Sequence, residues 1–86
     1  MKPRYKEIGT KNIIGLKVVE IRHKHKIKQK DFLAQLQTLG MNISATSLSR
    51  LEGQHRLVQD FEVVIIAKAL NVDIAELLDA YSHESG

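Results

Sequence analysis

Two stretches of the sequence decide the fold: IKQKDFLA at residues 27–34 and ISATSLSRLEG at residues 43–53. The first begins a run whose apolar residues are spaced as on one face of a helix, namely Phe32, Leu33, Leu36 and Leu39. Gly40 follows as a candidate left-handed cap. In the second stretch Ser44 is a good N-cap, Leu48 and Leu51 point to one side, and Gly53 again supplies a stop. The pattern predicts helices over residues 29–39 and 45–52.

Three further helices are expected on either side of these two. Asn12 can cap one over residues 13–25, Asp60 can cap a fourth, and Asp73 with Glu76 resembles a capping box opening a fifth, which ends near Tyr81. The residues expected to face the core are Ile14, Val18 and Ile21, with Ile27 closing the first helix, then Val63, Ile66, Ala67 and Leu70, then Ile74, Leu77 and Leu78. The one proline is Pro3, and no segment shows the strict alternation of apolar and polar residues that is typical of a strand. The sequence therefore predicts an all-α domain over residues 12–81. A basic arm over 1–11 precedes it, and a frayed tail over 82–86 follows.

Composition supports one small domain. The chain has 86 residues, is 43% hydrophobic and contains no cysteine, so an apolar core must supply its stability. Residues 1–30 hold ten of the thirteen Lys/Arg and two of the ten Asp/Glu, which gives +8 there and −5 in the remainder. This asymmetry suits a polyanionic partner, and a solvated lysine surface is the alternative interpretation. No stretch approaches the roughly 20 apolar residues of a membrane helix, and the N-terminus lacks an apolar signal segment. We therefore expect an intracellular protein.

The outer face of the predicted third helix carries the functional signal. If Leu48 and Leu51 face the core, the exposed side chains are small apart from one arginine: Ala45, Thr46, Ser49 and Arg50. A slim helix of this kind fits the major groove of DNA, and Arg50 can bond guanine O6 and N7. A capped connector of two helical turns is the alternative interpretation of the same residues.

Together the two stretches resemble the helix-turn-helix of the Cro/repressor-type (Xre-like) transcription regulators. Residues 60–78, with IAKALNV followed by IAELL, resemble that family's fourth and fifth helices, so five helices match in order over residues 13–79. The resemblance implies a compact five-helix lambda-repressor-like domain whose helices two and three form the motif. It also implies a cytoplasmic, nucleoid-associated protein of bacterial or phage type. Its function would be sequence-specific binding of double-stranded DNA, as a repressor homodimer on a palindromic operator and without a cofactor.

Site residues follow from the resemblance residue by residue. The base-contacting set is Ala45, Thr46, Ser49 and Arg50. The backbone-contacting set is Lys28, Gln29, Ser44, Gln54, His55 and Arg56, with main-chain N–H groups exposed near Gln54 and with Gln29 alternatively bracing the third helix. Lys11 and Asn12 join this set because they stand where the amides of the first helix could meet a phosphate. Arg22 and Glu52 would form the family's ion pair, which would offset an anion at the end of the third helix.

Three residues or segments depart from the family pattern. Lys28 stands where a Ser or Thr usually caps the second helix, which forfeits roughly 1 kcal/mol of capping but adds a cation beside DNA. The connector over residues 39–43 is longer than the shortest turns of the family. Ala45 offers a thymine methyl contact only, so Arg50 and Thr46 carry most of the expected base preference.

Other functions are less well supported by the sequence. His23 and His25 lie about 200° apart on a helix, so they do not chelate one metal, and no catalytic grouping or phosphate loop is recognisable. We expect neither a metal site nor an enzyme. The main alternative is a protein-interaction module, such as an antitoxin or an adaptor of the transcription machinery, using Leu77, Leu78 and Tyr81. The arm over 1–11 either neutralises phosphates along the duplex or is a simple tail.

Overall fold

The computed structural model describes residues 11–85, and the side chains of residues 11–79. Within that part the chain has no strand, which confirms the predicted all-α class with its five helices. The helices are α1 (Gly15–Lys24), α2 (Gln29–Thr38), α3 (Ala45–Glu52), α4 (Asp60–Leu70) and α5 (Ile74–Ser85). None of these helices is both long and apolar enough to cross a membrane. Most of the predicted basic arm, including Lys2, Arg4 and Lys6, lies outside the described residues.

The first four helices end in the same way, with one left-handed residue after the last turn. Lys26, Gly40, Gln54 and Asn71 have φ of 58°, 101°, 65° and 60°. In each case the next N–H bonds back to a carbonyl five residues earlier, as Met41 N–H does to Leu36 O at 3.0 Å. Gly40 was the expected left-handed cap. Gly53 was expected to stop α3, but its φ is −87° and Gln54 takes the left-handed position instead.

Helix starts also differ in part from expectation. Asn12 Oδ1 accepts the Gly15 N–H at 2.8 Å, as a cap does, although α1 begins two residues later than predicted. α4 is capped one residue earlier than expected, because Gln59 is its N-cap and the Gln59 N–H donates to Glu62 Oε1 at 3.0 Å. α5 continues to Ser85 instead of ending near Tyr81, since no proline or glycine interrupts it before Gly86.

The core forms where the five helices meet, and most of the predicted inward residues lie in it. The buried apolar residues are Ile14, Val18, Ile21, Phe32, Leu36, Met41, Ile43, Leu48, Leu51, Ile66, Ala67, Leu70 and Leu77, with Ile27, Leu33 and Val63 packed against them. The predictions for Leu39, Ile74 and Leu78 were wrong, since these side chains are 36–40% exposed. Leu39 is the C-cap that follows the last residue of α2, and Ile74 and Leu78 lie about 60° and 100° around α5 from the buried Leu77.

A glycine sets the position of α3 against α1. A Cβ on Gly15 would lie 2.5 Å from Leu51 O and 3.0 Å from Glu52 O, so only glycine permits this approach. The start of α1 thereby lies directly against the end of α3. Nothing in the local sequence around Gly15 indicates this role.

Candidate nucleic-acid interface

α3 presents the face that the sequence predicted. Leu48 and Leu51 are fully buried, whereas the four candidate base-contacting residues are all exposed: Ala45, Thr46, Ser49 and Arg50. Ser44 Oγ accepts the Ser47 N–H at 3.1 Å, so the predicted cap of α3 is confirmed. Arg50 forms no side-chain hydrogen bond or ion pair with the rest of residues 11–79. The outer face of α3 is therefore narrow and carries one arginine without a partner among the described side chains.

An ion pair holds α3 from the side of α1 and α2. Arg22 Nε donates to Glu52 Oε2 at 2.8 Å and Arg22 Nη2 donates to Glu52 Oε1 at 3.1 Å, with both residues only 7% exposed. Arg22 Nη1 also donates to Ile27 O at 2.9 Å. This geometry is the fork pairing that suits a desolvated carboxylate. The ion pair expected from the resemblance is present, and it also fixes the turn between α1 and α2.

Gln29 extends this pair to the surface. Gln29 Nε2 donates to Glu52 Oε1 at 3.1 Å and lies 3.4 Å from Ser49 Oγ. Of the two roles predicted for Gln29, the contact present is the one that braces α3. Lys28 precedes it as the N-cap of α2 with an extended backbone, makes no capping bond through its side chain, and is exposed. We call the set Arg22, Glu52 and Gln29 the inner brace.

A second ion pair, which the sequence did not predict, holds α3 from the side of α4. Arg56 Nη1 and Nη2 donate to the two carboxylate oxygens of Glu62 at 3.0 and 3.1 Å, and Arg56 Nε donates to Ser47 Oγ at 2.7 Å. Arg56 was predicted to contact the DNA backbone, which stays a prediction; within the fold each nitrogen of its guanidinium already has a partner. The hydrogen bond from Arg56 holds the pKa of the Glu62 carboxyl below its ordinary value of 4.5. We call Ser47, Arg56 and Glu62 the outer brace.

The loop after α3 corrects a further expectation. The Gln54 N–H donates to Leu51 O at 3.0 Å and the His55 N–H donates to Arg50 O at 2.7 Å, so neither amide is available to a phosphate. The Gln54 side chain is buried, with Nε2 donating to Asn12 O at 2.8 Å and Oε1 lacking a partner within the described part of the chain. The His55 side chain is exposed. Of Gln54 and His55, only His55 has an exposed side chain.

The chain before α1 is tied to the same loop. The Lys11 N–H donates to Gln54 O at 2.9 Å, and Asn12 Nδ2 donates to Leu51 O and Arg56 O at 3.0 and 2.8 Å. Because its Oδ1 also caps α1, the Asn12 side chain is committed to the fold, and the expected phosphate contact through the amides at this helix start stays a prediction. The Lys11 side chain remains exposed beside α3.

These segments border a surface cavity of about 520 Å³ next to the outer face of α3. Its lining contains one lysine, two arginines and one histidine, and the lining residues are Lys11, Ser44, Thr46, Ser47, Arg50, His55, Arg56 and Leu57. The two braces meet α3 on opposite sides of its outer face, through Ser49 and Ser47. The arrangement is an exposed helix, braced on two sides, beside a basic cavity.

Other predicted residues are less available. Leu77 is fully buried and cannot contact a partner, whereas Leu78 is 38% exposed; the side chain of Tyr81 lies outside the described residues. Within the described part no three His, Cys, Asp or Glu side chains come close enough to hold a metal ion.

Comparison of the chain with protein-family models, with curated proteins and with solved structures gave no match.

Proposed function

We propose that the protein binds double-stranded DNA through α3 and regulates transcription, most simply as a repressor. The observation that carries the proposal is the outer face of α3, where the small side chains of Ala45, Thr46 and Ser49 allow close approach to the floor of a groove. On the same face Arg50 is exposed and has no partner within residues 11–79. The major groove, about 12 Å wide, admits such a helix, and an arginine there pairs with guanine O6 and N7. The sequence resemblance to Cro/repressor-type regulators supports the same docking mode.

The charge distribution supports contacts with phosphates on both sides of α3. On one side lies the basic cavity with Lys11, Arg50 and His55. On the other side α2 starts at Gln29, and exposed lysines surround that start: Lys24, Lys26, Lys28 and Lys30. None of these four lysines forms an ion pair within residues 11–79. Cations left unpaired beside a groove-sized helix suit the two phosphate backbones that flank a groove.

A fluorescence anisotropy titration with a 20-base-pair duplex of mixed sequence tests the proposal. Between 50 and 200 mM salt the affinity should fall at least roughly tenfold, because each neutralised phosphate releases counterions. Lys28→Ala with Lys30→Ala should weaken binding and flatten the salt dependence. Lys17→Ala, a lysine of α1 that pairs with Glu20 within its own helix, is the control and should change both much less. Absence of binding at 50 mM salt, or indifference to salt, would exclude DNA as the ligand.

A further inference from the structure

The outward face of α4 is apolar in its middle and charged at its ends. Asp60, Phe61, Val64 and Lys68 are all exposed, and at 100° per residue they lie within an arc of about 100°. Phe61 is 59% exposed and Val64 is 39% exposed. Neither Asp60 nor Lys68 forms an ion pair with any other residue in the range 11–79. The opposite face of the same helix buries Ile66 and Leu70 in the core.

Leu57 continues this apolar surface beyond the start of α4. It is 71% exposed, the largest exposure of any large apolar residue among those described, and it also lines the basic cavity beside α3. Arg56 Nη1 donates to Leu57 O at 3.0 Å while the same guanidinium holds Glu62, so the outer brace fixes Leu57 relative to α4. We call Leu57, Phe61 and Val64 the α4 patch. A fixed apolar patch of this kind indicates an association surface.

We infer that the α4 patch binds a second copy of this chain, with the two α4 helices antiparallel about a two-fold axis near Val64. Asp60 and Lys68 are each four residues from Val64, which is about 6 Å along the helix. An antiparallel pair centred there places Asp60 of each copy beside Lys68 of the partner subunit. Because the dimer is symmetric, it contains this contact twice. Phe61 of each copy then packs on Val64 and the Lys68 stem of the other. The negative end of this face thus meets the positive end of the same face on the second copy.

The size of the patch sets the strength of the dimer. Three large, partly exposed apolar side chains supply roughly 300 Å², whereas a standard stable interface buries about 800 Å² on each partner. The dimer should therefore be weak, with a dissociation constant on the order of 10–100 µM, and two adjacent half-sites on DNA should strengthen it by raising the local concentration. This inference deepens the proposed function by assigning the surface that pairs the two DNA-binding copies.

Sedimentation equilibrium of the full chain without DNA tests the inference by charge reversal. In a dimer of either variant, Asp60→Lys or Lys68→Asp, two charges of the same sign face each other at both ends of the interface. Each substitution should therefore weaken the dimer at least roughly tenfold. An equimolar mixture of the two variants restores both opposite-charge contacts and should dimerise as the unmodified chain does. Circular dichroism checks that each variant remains folded. A mixture that stays monomeric, or an unmodified chain that is monomeric at millimolar concentration, overturns the inference.

Two apolar substitutions separate this surface from the exposed pair Ile74 and Leu78 on α5. Phe61→Ser should abolish dimerisation, and Leu78→Ser should not; the reverse pattern would assign the seam to α5 and contradict the inference. Titration of the unmodified chain and of Phe61→Ser with a duplex of mixed sequence separates the two proposals. If α3 binds DNA but the patch does not pair, the two proteins bind that duplex with equal affinity and cooperativity. If DNA binding itself is wrong, neither protein binds, whatever the sedimentation result.

Discussion

The inner brace and the outer brace hold α3 from opposite sides, and they differ in how far they are removed from water. In the inner brace the Arg22 and Glu52 side chains are 9% and 7% exposed, and the pair reaches α3 directly because Glu52 belongs to that helix. In the outer brace the Arg56 and Glu62 side chains are 23% and 11% exposed, and the pair reaches α3 through the Ser47 hydroxyl. A desolvated pair is costly to break, whereas a hydrated one contributes less. We therefore expect the inner brace to contribute more to the stability of the fold than the outer brace, which holds the loop after α3 against α4.

The largest expected effect comes from removing one partner of the inner brace. Arg22→Ala leaves Glu52 buried without its cation, and the free energy of unfolding should fall by about 3–5 kcal/mol. Urea unfolding followed by circular dichroism measures this loss. The double variant Arg22→Met with Glu52→Leu is the control, since it removes both charges and should lose clearly less. Equal losses in the two variants would contradict the assignment of the cost to an uncompensated buried charge.

The close approach of α1 to α3 gives the next effect. Gly15→Ala places a methyl group 2.5 Å from Leu51 O, a backbone atom, and should cost about 1–3 kcal/mol as the helices separate. Gly53→Ala is the matched control, because the nearest atom to its Cβ would be a side-chain atom, His55 Cδ2 at 3.1 Å, with backbone oxygens no closer than 3.5 Å, and its φ is negative. The same urea assay should show a much smaller change for Gly53→Ala. If the two glycines behave alike, the packing of α1 on α3 is looser than described.

The outer brace should contribute a smaller, pH-dependent stability. Glu62→Gln keeps an oxygen for the Gln59 N–H but loses the charge opposite Arg56, so at pH 7 we expect a loss of about 1 kcal/mol. Because folding lowers the pKa of Glu62 below 4.5, its stabilisation is present above pH 4.5 and is lost as pH falls through the lowered pKa.

Urea midpoints of the unmodified chain and of Glu62→Gln between pH 7 and pH 3 therefore test the sign. The difference between the two proteins should shrink on acidification. A difference that grows as the pH falls would rule out the ionised Glu62 carboxylate as the stabilising partner of Arg56.

The features that depend on residues close together in the sequence could be predicted, whereas those that depend on residues far apart in the sequence could not. Periodic apolar residues located the helices and most of the core, and the Ser44 cap and the exposed face of α3 followed from residues within one or two turns. The outer brace was missed because Arg56 meets Glu62 only after Gln59 starts α4. The signal in retrospect is Gln59 followed by Glu62 three residues later, a capping-box spacing.

The other misses also depend on tertiary packing. Gln54 takes the left-handed position that was expected at Gly53, and its buried side chain bonds Asn12 O, forty-two residues earlier in the chain. Gly15 matters only because the end of α3 lies against it. The periodicity of α5 predicted three inward residues, but only one side of the helix meets the core, where Leu77 lies.

Selection of bound duplexes from a random DNA pool, carried out in parallel with the unmodified chain and with Arg50→Ala, tests the central claim most directly. We expect the unmodified chain to enrich half-sites about one helical turn apart with a guanine at equivalent positions. Arg50→Ala should lose the preference at that guanine, a change of about 1–3 kcal/mol, and keep its salt-dependent affinity for DNA in general. No enrichment by the unmodified chain, or the same enriched sequence with both proteins, would contradict the claim that α3 reads DNA through Arg50.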